Sequence, residues 1–254
     1  MTLAADLALA RRAVRAGAAE ALRRFGTGVG VEFKTSAADP VSDADRASEV
    51  AIVALLRAER PEDGILGEEG AAVAGTSGRR WVVDGLDGTQ NYLAGLPLWC
   101  VAVGLEDADG PAVGAVCDPL RDELFSAARG AGASAGGGRV AVRAGVALEA
   151  ATVSTYVAAR KIAPPAAHTA LAALSDAVGA LRIVGCGSLE LAWVAAGRLD
   201  GWIQPNVDPW DWVPGCVLVR EAGGRAEALA GDPPWFVAGD AALADALAAL
   251  VTGR

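Results

Sequence analysis

Apolar residues recur at helical spacing at the start of the chain: Leu3, Leu7, Val14, Ala18, Leu22 and Phe25, with arginines between them. That period predicts an amphipathic first helix, ended by Gly26, Gly28 and Gly30. Val31-Glu32-Phe33 reads as a short strand leading to Lys34. A second helical stripe, Val50, Val53 and Leu56, follows Ser42, which makes an N-cap with Asp45 three residues on. Beyond Arg60-Pro61, the run Gly64-Ile65-Leu66-Gly67 reads as a strand ending on Glu68, Glu69 and Gly70. Trp81-Val82-Val83 is aromatic and β-branched and bounded by turn residues, so it reads as a buried strand. Trp99–Leu105, Ala112–Cys117 and Glu123–Ala127 are strand-like runs separated by Gly, Pro or Asp turns, which predicts an antiparallel meander.

Gly130–Gly138 reads as a flexible surface connection; it lacks the Gly-Lys-Ser/Thr ending of a phosphate loop. From Ala151 the pattern alternates. Thr152–Tyr156 is a strand, Ala166–Val178 a helix after Pro164-Pro165, Leu181–Val184 a strand, Ser188–Ala196 a helix and Trp202–Gln204 a strand. Pro214 places the start of the next helix near Asp211 or Trp212, because proline suits the first helical turn. Trp235–Val237 and a helix from Ala241 to Val251 close the chain. The alternation after residue 140 is an α/β signature. We therefore expect one unit, 1–254, with an α+β half over 1–140 carrying the antiparallel sheet, and an α/β half over 141–254.

With 254 residues, 53% of them apolar, the chain can bury a substantial core. A net charge of −9 argues against nucleic acid or an anionic membrane surface as the main partner. Met1 to Phe25 lacks the uninterrupted apolar core of a signal peptide, and no window reaches the length of a membrane span. Cys100, Cys117, Cys186 and Cys216 show no CxxC spacing and read as reduced, half-buried residues of a cytoplasmic protein. The single histidine, His168, lies in an alanine-rich segment and reads as solvent-facing. Triad and histidine–zinc chemistry need histidines in structured places, so any catalysis here runs on carboxylates, hydroxyls and metals.

The densest chemistry is in Trp81-Val82-Val83-Asp84-Gly85-Leu86-Asp87-Gly88-Thr89-Gln90-Asn91-Tyr92. An apolar strand ends on one carboxylate and a second follows three residues later. Two acids this close can share a pocket if a cation neutralises them; the same letters also suit an acidic turn with Thr89 as a helix cap. Asp45 suits the first turn of its helix, Glu68 an acidic loop, and Asp211 a helix start, where it is either a plain N-cap or aimed at a cation. Glu68, Asp84, Asp87 and Asp211 nevertheless share one property: each falls where an apolar element ends or a helix begins, the places where α/β folds form ligand clefts. Together with the Leu86 carbonyl they would supply hard oxygen ligands for two or more Mg²⁺ ions.

These motifs resemble those of the inositol monophosphatase-like family of metal-dependent, lithium-sensitive phosphatases. Asp39-Pro40-Val41-Ser42-Asp43-Ala44-Asp45 is similar to its D-x-V-T-x-x-D element, and Gly67-Glu68-Glu69 to its G-E-E. The Trp81–Tyr92 run resembles W-x-x-D-P-I/L/V-D-G-T-x-N-F/Y. Trp210-Asp211, closing on Glu221-Ala222-Gly223-Gly224, resembles W-D … E-A-G-G. The resemblance implies a layered αβαβα sugar-phosphatase fold, a homodimer, and a small phosphorylated metabolite as substrate. It implies that Glu68, Asp84, the Leu86 carbonyl and Asp87 bind one Mg²⁺, and that Asp84, Asp87 and Asp211 bind a second, with Glu68 and Asp45 near a third. Glu68, Asp45, Asp87 and Thr89 would form the catalytic set, Thr89 helping to orient a metal-activated water for in-line attack. Asp87 and Asp211, with the backbone amides of Gly88 and Thr89, would face the substrate and its phosphate.

Departures from the family pattern cluster on the substrate side. Gly85 stands where the family usually has proline, which is expected to loosen the loop. The usual Gly-Thr/Ser-Ala is here Gly185-Cys186-Gly187, and the acid that usually contacts substrate hydroxyls is Gln204. Gln204 can bind hydroxyls through both donor and acceptor but would not favour an amine as a carboxylate would. Inositol 1-phosphate is thus the expected substrate. Histidinol phosphate or another sugar phosphate is the alternative, and a non-catalytic metal-binding regulatory role the alternative of another class.

Overall fold

The computed structural model describes residues 2–28, 30–33, 40–157 and 165–252. Lys34, Asp39 and Pro164, singled out above, lie outside them. Helix α1 (Leu3–Arg24) opens on Thr2, whose hydroxyl accepts the Ala5 N–H. Its buried side is Leu9, Ala10, Ala13, Val14, Gly17, Ala18 and Ala21, while Leu22 is 42% exposed. Val14 and Ala18 of the expected stripe are buried and Leu3, Leu7 and Phe25 pack at its edge, but the face is widened by the small residues Ala10, Ala13, Gly17 and Ala21. Small residues win it because α2 (Asp43–Glu59) crosses there: a Cβ on Gly17 would lie 2.5 Å from Ser48 Oγ and 2.7 Å from Ile52 Cδ1. The short strands β1 (Val31–Phe33) and β2 (Pro40–Ser42) pair between the two helices.

The chain then lays down β3 (Gly64–Gly67), β4 (Ala72–Val73), β5 (Arg80–Asp87), the one-turn helix α3 (Thr89–Leu93), and the strands β6 (Cys100–Asp107), β7 (Gly110–Asp118), β8 (Glu123–Ala128), β9 (Gly132–Ala135) and β10 (Gly138–Arg139). They form one eight-stranded sheet in the order β10-β9-β8-β7-β6-β5-β3-β4, with β3 and β5 the parallel pair. Period-two alternation divides its faces. Val101, Val103 and Leu105 of β6 join Leu9, Val14, Ile52 and Leu56 of α1 and α2; Cys100 and Ala102 face the opposite way, toward the second half. The meander holds. The segment 130–138, expected to be a plain connection, supplies β9 and β10: Ala133 packs into the core, and Glu221 accepts the N–H groups of Gly130 and Gly132 at 2.9 and 2.8 Å.

After a 3₁₀ turn at Leu148–Ala150 come β11 (Thr152–Ser154), α4 (Pro165–Ala177), β12 (Ala180–Arg182), α5 (Gly187–Ala195), β13 (Gly201–Pro205), α6 (Pro209–Glu221), β14 (Arg225–Leu229), β15 (Trp235–Gly239) and α7 (Ala241–Thr252). The second sheet runs β12-β11-β13-β15-β14. Trp202 and Phe236 face α5 and α6, while Ile203 and Val237 face α4 and α7. The layers are thus α1/α2, eight strands, α5/α6, five strands, α4/α7, the expected αβαβα sandwich. Among the described residues no helix is long and apolar enough to cross a membrane.

One expectation fails instructively. Helix α6 begins at Pro209, so Pro214 lies inside it and offers no N–H to the carbonyl four residues back. The true start signal is Pro209 in the first turn. The helix is seated where two glycines pair across β6 and β7: a Cβ on Gly114 would come 2.1 Å from the Pro214 carbonyl oxygen, and one on Gly104 2.8 Å from Val213 Cγ1. Bare backbone at both positions lets α6 press against the sheet, and this fixes where its first turn, with Asp211, points.

Candidate active site: an acidic pocket between the two halves

Strand β5 stays buried from Trp81 through Asp87, and its pairing with β6 shifts register between Asp84 and Asp87. Asp84 Oδ1 accepts the Leu86 N–H at 2.9 Å, a tight turn the carboxylate makes on its own chain. Its other oxygen, Oδ2, is buried and has no hydrogen-bond partner. Gly88 follows at φ 92°, where a Cβ would strike the Leu98 carbonyl at 2.8 Å, so the turn into α3 requires glycine.

Oxygens of Asp84, Asp87 and Asp211 lie within 4.8 Å of one another. Asp84 sits well above the ordinary carboxylate range, chiefly through burial, with the charges of Glu68, Asp87 and Asp211 adding to it. Burial, then the charge of Asp211, lifts Asp87 to about 7. Three converging carboxyls and an unpartnered buried oxygen fit a divalent cation, which would take that oxygen and offset the repulsion. Glu68 stands outside the tight trio but close enough for its charge to act on Asp84.

Asp45 serves two masters. Its Oδ2 accepts the Ser42 N–H at 2.9 Å and the Ser42 hydroxyl, completing the expected capping box, while Oδ1 accepts the Thr89 hydroxyl at 2.8 Å. Thr89 Oγ1 also lies 3.1 Å from the Leu86 carbonyl, so two acceptors compete for its one proton. Burial raises the Asp45 carboxyl in spite of these bonds.

The opposite wall comes from the second half. The Ser188 N–H, in the first turn of α5, donates to Asp87 Oδ2 at 2.6 Å. The Cys186 thiol is buried, 3.3 Å from the Asp87 carbonyl and 3.6 Å from Cys100 Sγ. All four cysteines are free and buried, not half-buried as expected. Burial pushes Cys100 up to about 12 and Cys186 well above its ordinary value, so this pair is inert apolar backing for Asp87. Gly185, at φ 79°, lies against Asn91 and Tyr156, and Gly187 against Trp202 and Gln204. Gln204 is 3% exposed with Oε1 unpartnered. His168 is exposed on α4.

Several motif residues build the pocket without lining it. Trp81 Nε1 donates to Asp63 at 2.9 Å, and the Tyr92 hydroxyl donates to the Ala21 carbonyl at 2.8 Å within an aromatic cluster with Phe25 and Trp99. Asn91 Nδ2 donates to the carbonyls of Leu98 and Val184, both at 2.8 Å, and so ties the two walls together. Sequence reasoning missed Glu190. This carboxylate, fully buried, accepts the Val184 N–H at 3.0 Å and Trp202 Nε1 at 2.9 Å, and burial lifts it to about 7. Its one signal was an acid at a helix position with apolar residues on both sides. Gly85 does not loosen its loop either: a Cβ there would meet the Asp45 carbonyl at 2.8 Å and the Glu49 nitrogen at 2.9 Å, so α2 packs directly on it.

A family model described as "Inositol monophosphatase family" matches residues 3–252. The chain belongs to that family. An inositol-1-monophosphatase of Rhizobium meliloti is 43% identical over 74% of this chain and 71% of its own length. A protein of Xylella fastidiosa named Nus factor SuhB is 40% identical over 76% and 70%. The inositol monophosphatase structure from Anabaena superposes with a TM-score of 0.86 at 30% identity, covering 100% of this chain and 97% of that one. The extragenic suppressor protein suhB from Bartonella henselae gives 0.89 at 32%, covering 97% and 98%. Membership makes the chain a phosphoric monoester hydrolase of a metal-dependent family, and the acidic trio is a group able to hold such a metal.

Proposed function

We propose that this enzyme is a Mg²⁺-dependent phosphatase of a small polyol or sugar phosphate, inositol 1-phosphate foremost, working as a cytoplasmic homodimer. The observation that carries this reading is the trio Asp84, Asp87 and Asp211, with Asp84 Oδ2 unpartnered, set beside the wall of Gly185–Gly187 and Gln204. Glu68, Asp84, the Leu86 carbonyl, Asp87 and Asp211 would hold two or three ions. Bound there, Mg²⁺ neutralises phosphate charge, stabilises the leaving alkoxide and lowers the pKa of water.

The chain's own groups supply the rest. When its proton goes to Asp45 Oδ1, the nearer of its two acceptors, the Thr89 oxygen presents lone pairs that accept a hydrogen bond from the attacking water and orient it. Asp45, raised by burial, is suited to take up a proton passed through Thr89 as that water attacks. In this reading the N–H groups of Gly88 and Thr89 hold the phosphate, and the neutral Gln204 meets substrate hydroxyls. Gln204 also makes histidinol phosphate the poorer alternative, since its amine gains no ion pair.

Relatives named Nus factor SuhB favour a second reading, a regulatory binding role. The full set of carboxylates counts against a chain that has given up catalysis. Phosphate release from a panel of phosphomonoesters with Mg²⁺, with and without Li⁺, separates the two. We expect release fastest from inositol 1-phosphate and suppressed by Li⁺ or by chelation. No turnover on any ester, with metal binding confirmed, would sink the enzymatic reading.

A further inference from the structure

Helix α2 carries two buried carboxylates one turn apart, Asp45 and Glu49. Asp45 grips Thr89 in the first acidic segment. Glu49 grips the other one. Its Oε2 accepts the Glu69 N–H at 2.9 Å and its Oε1 the Ala71 N–H at 3.0 Å, so one carboxylate straddles the turn that begins with Glu68. Both bonds depend on a missing side chain: a Cβ on Gly67 would stand 2.4 Å from Glu49 Oε2. On the other flank, Gly85 lies bare against the backbone of Asp45 and Glu49. The helix is thus seated by two glycines, one in each acidic segment.

We propose that Glu49 is a positioning residue that, with Gly67, fixes the Glu68 turn against the Asp84–Asp87 segment and thereby sets the pocket's affinity for its divalent cation. The inference rests on the metal-binding reading above. Before a cation arrives, Glu68 and Asp84 repel each other. The Glu68 N–H already bonds the Val83 carbonyl at 3.2 Å, which anchors the start of the turn. Without Glu49 the rest, Glu69 to Ala71, would be free to shift and take the Glu68 side chain with it, and each binding event would have to gather it back. Two N–H bonds to a buried carboxylate hold the turn in place in advance, which removes that cost. Glu49 need not touch the ion or the substrate to do this.

Four full-length proteins test it: wild type, Glu49→Gln, Gly67→Ala and Asp84→Asn. Glutamine offers one acceptor where two N–H groups need one each, and turns an amide donor toward the other. Alanine at 67 leaves the charge of Glu49 intact and displaces its carboxylate; Gly67 is not among the left-handed glycines, so its backbone tolerates the change. Mn²⁺ binding is read from the loss of the free-ion electron paramagnetic resonance signal. Both clamp variants should bind Mn²⁺ about tenfold more weakly than wild type. Their Mg²⁺ activation constants should rise by a similar factor, with kcat at saturating Mg²⁺ retained. A purely structural role would lower the metal-free unfolding midpoint and leave the Mn²⁺ affinity where it was; that outcome overturns the proposal. If wild type binds no Mn²⁺, or Asp84→Asn binds it equally well, the metal-binding reading itself falls. Should both clamp variants fail to fold, hydrogen exchange on metal-free wild type decides. Protected amides at Glu69 and Ala71 are required, and rapid exchange at both refutes the clamp.

Discussion

On one side of the pocket, Asp84, Leu86, Asp87 and Thr89 all come from a single run at the end of β5 and the start of α3. On the other, Gly185, Cys186 and Gly187 belong to the turn into α5, and Gln204 to β13. The first wall is local. Strand, turn and helix start follow one another within a few residues, and Asp84 even bonds the N–H of Leu86. The second wall is assembled from separate elements and held by buried groups behind it, Glu190 bonding Val184 and Trp202, and Asn91 crossing to Val184. A wall written into consecutive residues tolerates little change. A wall whose lining is separate from its supports can change its lining and keep its shape.

The sharpest way to break this contrast is Asp87→Asn, which we expect to lower phosphate release by about 1,000-fold or more while the fold survives. Near-normal turnover would refute the assignment of the acidic wall. The same variant carries a pH signature in metal-free protein. Because Asp87 is lifted from its ordinary 3.8 to about 7, the native state holds that proton more tightly than the unfolded chain. The stability so gained is complete below 3.8 and is lost as pH rises to about 7. The asparagine should flatten this part of the urea-midpoint profile, and parallel profiles for the two proteins would contradict the argument.

A smaller effect is expected on the opposite wall. Gln204→Glu should shift kcat/KM by about tenfold toward an amine-bearing phosphomonoester such as histidinol phosphate, relative to inositol 1-phosphate, since a charged hydrogen bond exceeds a neutral one by about 1 to 1.5 kcal/mol. An unchanged ratio would mean that Gln204 does not meet the substrate. Smallest is Asn91→Ala, at the joint between the walls. It leaves the Leu98 and Val184 carbonyls without their donor, which should cost about 1 kcal/mol in a urea titration. It should also raise KM a few-fold with kcat little affected. A fall in kcat alone would place Asn91 with the acidic wall instead.

Much of this was legible in the chain. The capping box at Ser42 and Asp45, the meander after Trp99 and the alternation after Ala151 follow from period and turn chemistry, which act over a few residues. The misses share a cause. The exposed Leu22 and buried small residues of α1, the interior Pro214 and the strands within 130–138 each depend on a partner far away: Gly17 on α2, Pro214 on the paired Gly104 and Gly114, and the hairpin on Glu221. Glu49 and Glu190 look like ordinary helix acids until the turns they hold are folded against them.

The sequence by itself determined the acidic segments, their order and the chemistry they favour, because two carboxylates three residues apart on a strand–turn–helix have little freedom in how they present themselves. The motifs had already grouped Asp211 with Asp84 and Asp87 through their family resemblance; only the tertiary structure decided how near their oxygens come, that Asp45 reaches Thr89, and that Glu49 secures the turn of Glu68. Those contacts join residues on separate elements. Their distances come from how closely helices can approach at Gly17, Gly67, Gly85 and Gly114, and bare backbone at these positions acquires its meaning when the facing element is in place.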